Sequence, residues 1–509
     1  MRANGIKPTI SSLTAIGDVR CVCERDIMIV SADTADAVRI VWRPAAKLFV
    51  GRSPGMAQSK RRRDFARGVA RSFLRPAEPF AIHNARKIDA CGVQDHTWIV
   101  SDGRSIVATG TSDDDFEVAC RHLNIANAAT PDSAVAAGNA AISDVATTDT
   151  VSMDVMPASA AITDAAGAIM TPGYVDIHAH GAWGVSFDDG AEGIEIARAG
   201  HLAHGTTRQV LSLITNPFDT ICDNLRIVRK QMDARPDILG AHLEGPFLAS
   251  SRKGAHDSEC LLDPTDDLVD AVLHAADGCL RQITIAPELP HGISAIRRFS
   301  NVDYNVIPAI GHCDADYEIA RQGFAAGAGI MTHMFNAMNG LHHRNPGPIP
   351  AAVENQRVII ELINDGFHVS DSMVRLGFGF APHRVAFVTD AMAATDCPDG
   401  RYLLGSLDVD VVDRQARLAS NGAIAGSTLT LEESVRRAVL QLGMSARDAV
   451  EAATLTPAKA FRFDKPNRVT GHPIGLLAPG YAADVLLLDP EDWSVRRVWC
   501  DGHAVRIFS

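Results

Sequence analysis

Six residues in the middle of this 509-residue chain have the side chains of a metal site: His178, His180, Glu244, His312, His333 and Asp390. Imidazole and carboxylate together suit Zn, Fe, Mn or Ni, whereas Mg and Ca favour all-oxygen shells. The spacing of His178-Ala179-His180 has a physical reason. Residues i and i+2 of an extended segment point the same way, so both rings can reach one ion. Taken singly, each residue also has an ordinary reading. A His-x-His pair is commonly two unrelated histidines, and His312 a satisfied polar group. Asp390 fits the N-cap of a following segment. Glu244, before Gly245-Pro246, fits a turn carboxylate. What groups the six is where they fall in the pattern of the surrounding chain.

Eight short apolar, β-branched runs follow one another at residues 174–177, 208–214, 238–243, 282–286, 305–310, 329–332, 358–363 and 384–389. The segments between them can form helices; one opens with Asn216-Pro217, which reads as an N-cap followed by proline at the first helical position. Strands alternating with helices imply parallel strands in βαβ units, and eight such units imply a closed (β/α)8 TIM-type barrel. His178 and His180 follow the first run, Glu244 the third, His312 the fifth, His333 the sixth and Asp390 the eighth. All six sit at the C-terminal ends of their strands, the face on which such barrels carry chemistry.

The flanks read differently. Residues 98–107 give a hairpin around Asp102-Gly103, and residues 495–507 a second around Asp501-Gly502, because Asp-Gly supplies the positive φ of a tight turn. Strand-rich ends around a long middle predict a small β-sandwich domain built from N- and C-terminal segments, residues 80–172 and 464–509, flanking a barrel over 173–463. Residues 124–170, rich in Ala, Ser, Thr and Asp, are expected to be a loop insertion. Residues 1–79 show no sustained period. They are expected to be a disordered extension, or upstream sequence read from a start chosen too early, with Met56 the alternative start.

Net charge is −13, distributed as +9 over residues 1–75 and −22 over the rest. An acidic body argues against nucleic acid as a partner. The basic run Lys60-Arg61-Arg62-Arg63 is read as part of a solvated tail. No run of 18 apolar residues and no secretory leader pattern is present, so no membrane span is expected. Ten scattered cysteines read as reduced thiols of a cytoplasmic protein.

The chain resembles the N-acetylglucosamine-6-phosphate deacetylases of the amidohydrolase superfamily over roughly residues 80–509. The matching text is Pro172-Gly173-Tyr174-Val175-Asp176-Ile177-His178-Ala179-His180-Gly181, His242-Leu243-Glu244-Gly245-Pro246-Phe247, Gly311-His312 and His333-Met334-Phe335-Asn336-Ala337-Met338. It continues through Asp365-Gly366-Phe367-His368-Val369, Val388-Thr389-Asp390-Ala391, Gly426-Ser427-Thr428-Leu429-Thr430 and Pro479-Gly480-Tyr481-Ala482-Ala483-Asp484. The segment from Glu244 to Asp390 is specific to that family; His-x-His and the C-terminal Gly-x-x-Ala-Asp are shared across the superfamily.

The resemblance implies hydrolysis of the acetamide of a phosphorylated amino sugar, with Asp390 passing a proton from water to the leaving nitrogen. It implies one or two divalent ions, Zn or Fe foremost. His178, His180 and Asp390 would hold one, His312 and His333 the other, with Glu244 bridging. The fourth run has no lysine, which favours the glutamate-bridged class. Asn336 and the backbone of Ala337 match phosphate contacts, and His256 and His368 match histidines on the sugar and the acetyl carbonyl. Arg344 matches an arginine that reaches a neighbouring subunit's phosphate, which implies a homodimer. The N-acetylgalactosamine isomer, another amidohydrolase reaction and a non-catalytic sugar-phosphate binder are the alternatives. The extension before Ala81 and the Ala-rich insertion depart from the family pattern.

Overall fold

The computed structural model describes residues 19–23, 26–32, 38–44, 55–125 and 162–505. The chain falls into two compact units, Met1–Lys60 and Arg61–Ser509. In the first, strands Val19–Cys23, Asp26–Ala32 and Val38–Pro44 form an antiparallel sheet.

The second unit is organised around eight parallel strands. They are Tyr174–Asp176, Thr206–Ile214, Ile238–Glu244, Leu280–Ile285, Ile307–Ile310, Ile330–Met331, Ile359–Ile363 and Val385–Val388, each beside its sequence neighbours. They are buried almost throughout, as near-continuous Val, Ile and Leu runs must be when helices cover a parallel sheet. Every predicted run meets a strand, with no boundary off by more than two residues. Between the first and eighth strands the regular ladder gives way to a few isolated bonds, two of them short. The Asp390 N–H donates to His178 O at 2.8 Å, and the Thr389 hydroxyl donates to Asp176 Oδ2 at 2.7 Å. This seam closes the (β/α)8 barrel.

The second of the intervening helices corrects the sequence reading. It spans Phe218–Ala234, with Pro217 at the N-cap rather than the first helical position. The Asn216 amide donates instead to Asp188 Oδ1 and Ile214 O. Its side chain serves the loop, so it is not available as a cap.

The small domain is one curled sheet drawn from both ends. It contains Phe80–Asp89, Gly92–Ser101, Ile106–Gly110, Ile162–Asp164, Ile169–Pro172, Val485–Leu488, Val495–Cys500 and His503–Val505. Ser105 bridges back to Ala482, and Phe80 stacks on Trp499 at 5.5 Å. The two halves of this sandwich therefore face each other across a core containing Ile82, Ile99, Met170 and Leu487. Both predicted hairpins are present, and Asp501 and Gly502 take φ of 49° and 78°. The barrel is tied to this sheet by Arg208, fully buried, which meets Asp484 at 2.6 Å and Asp501 at 3.0 Å.

Three expectations change. The stretch 124–170, read as a loop, ends in two strands, Ile162–Asp164 and Ile169–Pro172; residues 126–161 lie outside the described residues. An unanticipated antiparallel sheet, Gly400–Leu404, Leu407–Val412 and Gln415–Leu418, follows the eighth barrel strand. Within the stretch 1–79, read as an extension, a helix spans Gly55–Ser72. Arg62, Ala66 and Val69 are buried on one face of it, while Lys60, Arg61 and Arg63 are exposed. The i, i+4, i+7 period is there, but an arginine and an alanine occupy two of its buried positions and hide it from a hydropathy reading.

Candidate metal centre

Each strand that ends in a candidate ligand aims it across the barrel mouth. Glu244 is the last residue of the third strand. His312, His333 and Asp390 each lie two residues past theirs, with φ of 47°, 25° and 49°. This left-handed backbone, uncommon for residues with a side chain, turns each of them off its strand direction.

The six residues converge. All are buried, and they form two groups that share Glu244: His178, His180, Glu244 and Asp390, and Glu244, His312 and His333. Glu244 Oε1 lies 3.1 Å from His333 Nε2, 3.2 Å from His312 Nε2 and 3.3 Å from His178 Nε2. Oε2 lies 3.1 Å from His180 Nε2 and 3.3 Å from His256 Nε2. Asp390 Oδ1 stands 3.6 Å from His178 Nε2 and 3.5 Å from His180 Nε2.

Hydrogen bonds on the far edges of these rings decide what they present to the centre. His312 Nδ1 donates to the Arg252 carbonyl at 2.8 Å. His178 Nδ1 donates to Glu361 Oε2 at 2.9 Å. With a proton on Nδ1, each ring presents Nε2 to the centre, as a lone pair once that nitrogen has given up any proton of its own. His312 Nε2 and His333 Nε2 are only 3.0 Å apart, and buried His178 Nε2 has no hydrogen-bond partner among the described residues. Lone pairs crowded around a carboxylate repel unless protons or a cation lie between them. The donor set, three or four imidazole and carboxylate groups per position with oriented outer partners, therefore fits a divalent ion.

The electrostatics agree. Burial alone would raise the Glu244 carboxyl, but His178 and His312 outweigh it and hold it well below the usual carboxylate range. Burial opposes charge on His178, yet Glu244, Glu361 and Asp390 keep it well above the ordinary histidine value. A ligand so disposed must release a proton when an ion takes its place. His256, pulled down to about 4 chiefly by burial, donates through Nδ1 to Thr215 Oγ1 at 2.8 Å.

A cavity of about 290 Å³ opens onto the centre. His180, Glu244, His312, His333 and Asp390 line its floor, and His256, Asn336, Ala337 and His368 its walls. Leu404 of the unanticipated sheet and Ile424 add apolar surface. His368 is bonded to Asp365 at 2.6 Å, and this partner raises its pKa against burial. Of the residues singled out from sequence, His178 belongs to the ligand group without lining the cavity, and Arg344 is brought to neither; it lies exposed on the loop beside His342 and His343.

Several residues of the site were not singled out. Glu361 lies inside the seventh strand, fully buried, and joins His178 Nδ1, the His333 N–H and the Gln282 amide. Asp176 receives the Thr389 hydroxyl and is pushed up to about 6 by burial. Thr215 and the Arg252 carbonyl orient His256 and His312. The available signal was a Glu in an otherwise apolar run, since such a charge needs a partner. A third group of potential ligands, His383, Asp448 and Glu451, stands apart, and Glu451 already meets His383 at 2.8 Å and Lys459 at 3.5 Å.

The chain matches the amidohydrolase family over residues 169–505, a span that holds the whole centre. It belongs to the amidohydrolase family. It is 33% identical over 359 residues to an N-acetylgalactosamine-6-phosphate deacetylase of Escherichia coli O157:H7, covering 70% of this chain and 92% of that one. It is 32% identical over 340 residues to an N-acetylglucosamine-6-phosphate deacetylase of Vibrio furnissii, covering 66% and 82%. A solved N-acetyl-D-glucosamine-6-phosphate deacetylase of Mycobacterium smegmatis, a D267A mutant in complex with N-acetyl-D-glucosamine-6-phosphate, superposes with a TM-score of 0.69 at 33% identity. That likeness covers 84% of this amidohydrolase and 99% of the solved chain.

Glu361→Gln keeps the shape but removes the charge that orients His178. Metal affinity, read by competition with a chromophoric chelator, is expected to fall about 10- to 100-fold. Unchanged affinity would deny Glu361 an orienting role.

Proposed function

We propose that this chain is a metal-dependent amide hydrolase that removes the acetyl group from N-acetyl-D-glucosamine 6-phosphate, giving glucosamine 6-phosphate and acetate. The observation that carries the reading is the buried Glu244 carboxylate shared by two ligand groups at the floor of a cavity of sugar size. His178, His180 and Asp390 would hold one divalent ion and His312 and His333 a second, with Glu244 common to both; zinc or iron suits these donors. When bound, such an ion acidifies water toward a pKa of ~7 and polarises a carbonyl oxygen.

The chain's own groups do the rest. Asp390 accepts a proton at its carboxylate and passes it to the amide nitrogen, which leaves poorly unless protonated. His368, kept basic by Asp365, turns an Nε2–H donor toward the acetyl oxygen. His256 holds the sugar. Asn336 and the backbone of Ala337 hold the phosphate from the cavity wall. Leu404 and Ile424 keep water from that side.

The reading includes a cytoplasmic homodimer. Arg344 is exposed and stands outside the cavity of its own chain, as an arginine that reaches a neighbour's phosphate must; its planar fork suits that anion. Among the described residues, no helix is long and apolar enough to cross a membrane. The relative named for the galactosamine isomer supports a second reading, deacetylation of N-acetylgalactosamine 6-phosphate.

Side-by-side kcat/KM values on the two sugar phosphates decide between the isomers, and absence of acetate from both would overturn the reading. Binding of the sugar phosphate by metal-loaded protein without turnover would favour a non-catalytic binder. Asp390→Asn is expected to retain metal while kcat falls about 10²- to 10⁴-fold; near-native kcat would contradict its role. Arg344→Ala is expected to raise KM more than it lowers kcat, and an unchanged KM would remove Arg344 from the phosphate site.

A further inference from the structure

The loop that leaves His180 and the loop that leaves Asp390 run side by side above the barrel seam. The His180 and Gly181 N–H groups donate to Ala391 O at 2.7 and 3.0 Å, the Trp183 N–H to Thr395 O at 3.0 Å, and the Gly184 N–H to Ala393 O at 2.7 Å. At the far end of this zip, two residues hold left-handed backbone: Trp183 with φ of 57° and Asp396 with φ of 54°. A bulky ring such as that of Trp183 avoids that region unless its surroundings enforce it, whereas Asp takes it more readily. The enforcement is visible. Trp183 Nε1 donates to Asp396 Oδ2 at 2.6 Å, and both residues are covered by the helix Gly55–Ser72, which lies upstream of the family match at 169–505.

Arg62 is the centre of that cover. Its side chain is buried. Its guanidinium sits 5.3 Å from the centroid of the Trp183 ring, donates to Asp396 O and Cys397 Sγ, and lies 3.8 Å from Asp396 Oδ2. Phe65, one turn on, meets the Trp183 ring edge-on at 5.7 Å. His204 approaches Asp396 from the opposite side at 3.6 Å.

We propose that Arg62 is a positioning residue for the half of the centre formed by His178, His180 and Asp390, locking together the two loops on which those ligands depend. The proposal rests on the metal-centre reading above. The physical need is local: the three ligands flank the one junction of the barrel that lacks a regular ladder, so their mutual position depends on what joins the loops beyond them. Glu244 ends, and His312 and His333 follow, strands that are paired with a neighbour on both sides, so their placement is expected not to depend on the helix.

The test uses the full-length chain as wild type, Arg62→Ala, Arg62→Lys and Trp183→Phe, which keeps an aromatic ring but loses the bond to Asp396. Each is loaded with zinc and challenged with a chelator, with zinc per chain, amide hydrogen exchange and steady-state kinetics on the acetylated phosphosugar as readouts. Arg62→Ala is expected to lose one zinc equivalent faster than the other, and to exchange faster within 180–184 and 391–396 alone. Its kcat is expected to fall about tenfold, with KM changed less than about twofold. Arg62→Lys should recover part of each effect. Trp183→Phe should repeat the pattern, and decides the matter should Arg62→Ala not fold. Wild-type exchange, zinc retention and kcat in Arg62→Ala would overturn the proposal; so would equal weakening of both zinc equivalents with faster exchange throughout. A wild type that holds one zinc, or releases no acetate, would count against the centre or the function as read. Loop exchange and zinc retention would then still decide the role of Arg62.

Discussion

A carboxylate buried as deeply as that of Glu244 imposes its terms on everything around it. Isolated, an ionised group at that depth is prohibitively unfavourable. Here five imidazoles meet it, His178, His180, His256, His312 and His333, carried by four separate loops. The arrangement holds only if those loops keep register to within a fraction of an ångström. A closed ring of parallel strands supplies that register, since every strand delivers its C-terminal residue to one mouth. The outer partners finish the task. Glu361, the Arg252 carbonyl and Thr215 fix which edge of a ring faces inward. The mutual position of the loops is thus a condition for the centre, and a cation held there would make the crowding of lone pairs tolerable.

The seam between the first and eighth strands is where that condition is hardest to meet. Elsewhere backbone ladders hold adjacent strands; here a single backbone bond from Asp390 to His178 and side-chain bonds replace them. Asp176 clasps Thr389, and Ser427 donates to Thr389 O at 2.5 Å. The Asp390 carbonyl accepts from the Ser427 N–H at 2.7 Å. Three candidate ligands, the proposed proton carrier among them, flank this junction. Its reinforcement from above by the loops, and by a helix contributed from outside the family match, is a consequence of the same constraint.

Much of this was legible in the chain. The barrel strands read clearly because they are short, apolar and β-branched. The candidate ligands stand out because they are polar residues at the ends of apolar strands. Glu361 did not, because it sits mid-strand in a run that otherwise signals core, and only its partners reveal that it is a site residue. The helix Gly55–Ser72 was hidden by Arg62 and Ala66 on its buried face, and the basic run that looked solvated contributes one arginine to the interior. Asn216 had the type of a cap, yet the helix starts one residue later than read, with Pro217 at the N-cap, and the Asn216 amide donates to Asp188 instead. In each miss a tertiary contact overrode a local signal.

The central claim is that one carboxylate joins two metal positions. Elemental analysis of wild type and Glu244→Gln, both purified without added metal, tests it most directly, alongside acetate release from N-acetylglucosamine 6-phosphate. The account predicts about two equivalents of zinc or iron in the wild type, and loss of metal from both positions together with acetate release in the variant. Full metal retention by Glu244→Gln, or a wild type that turns over with no divalent metal, would contradict it.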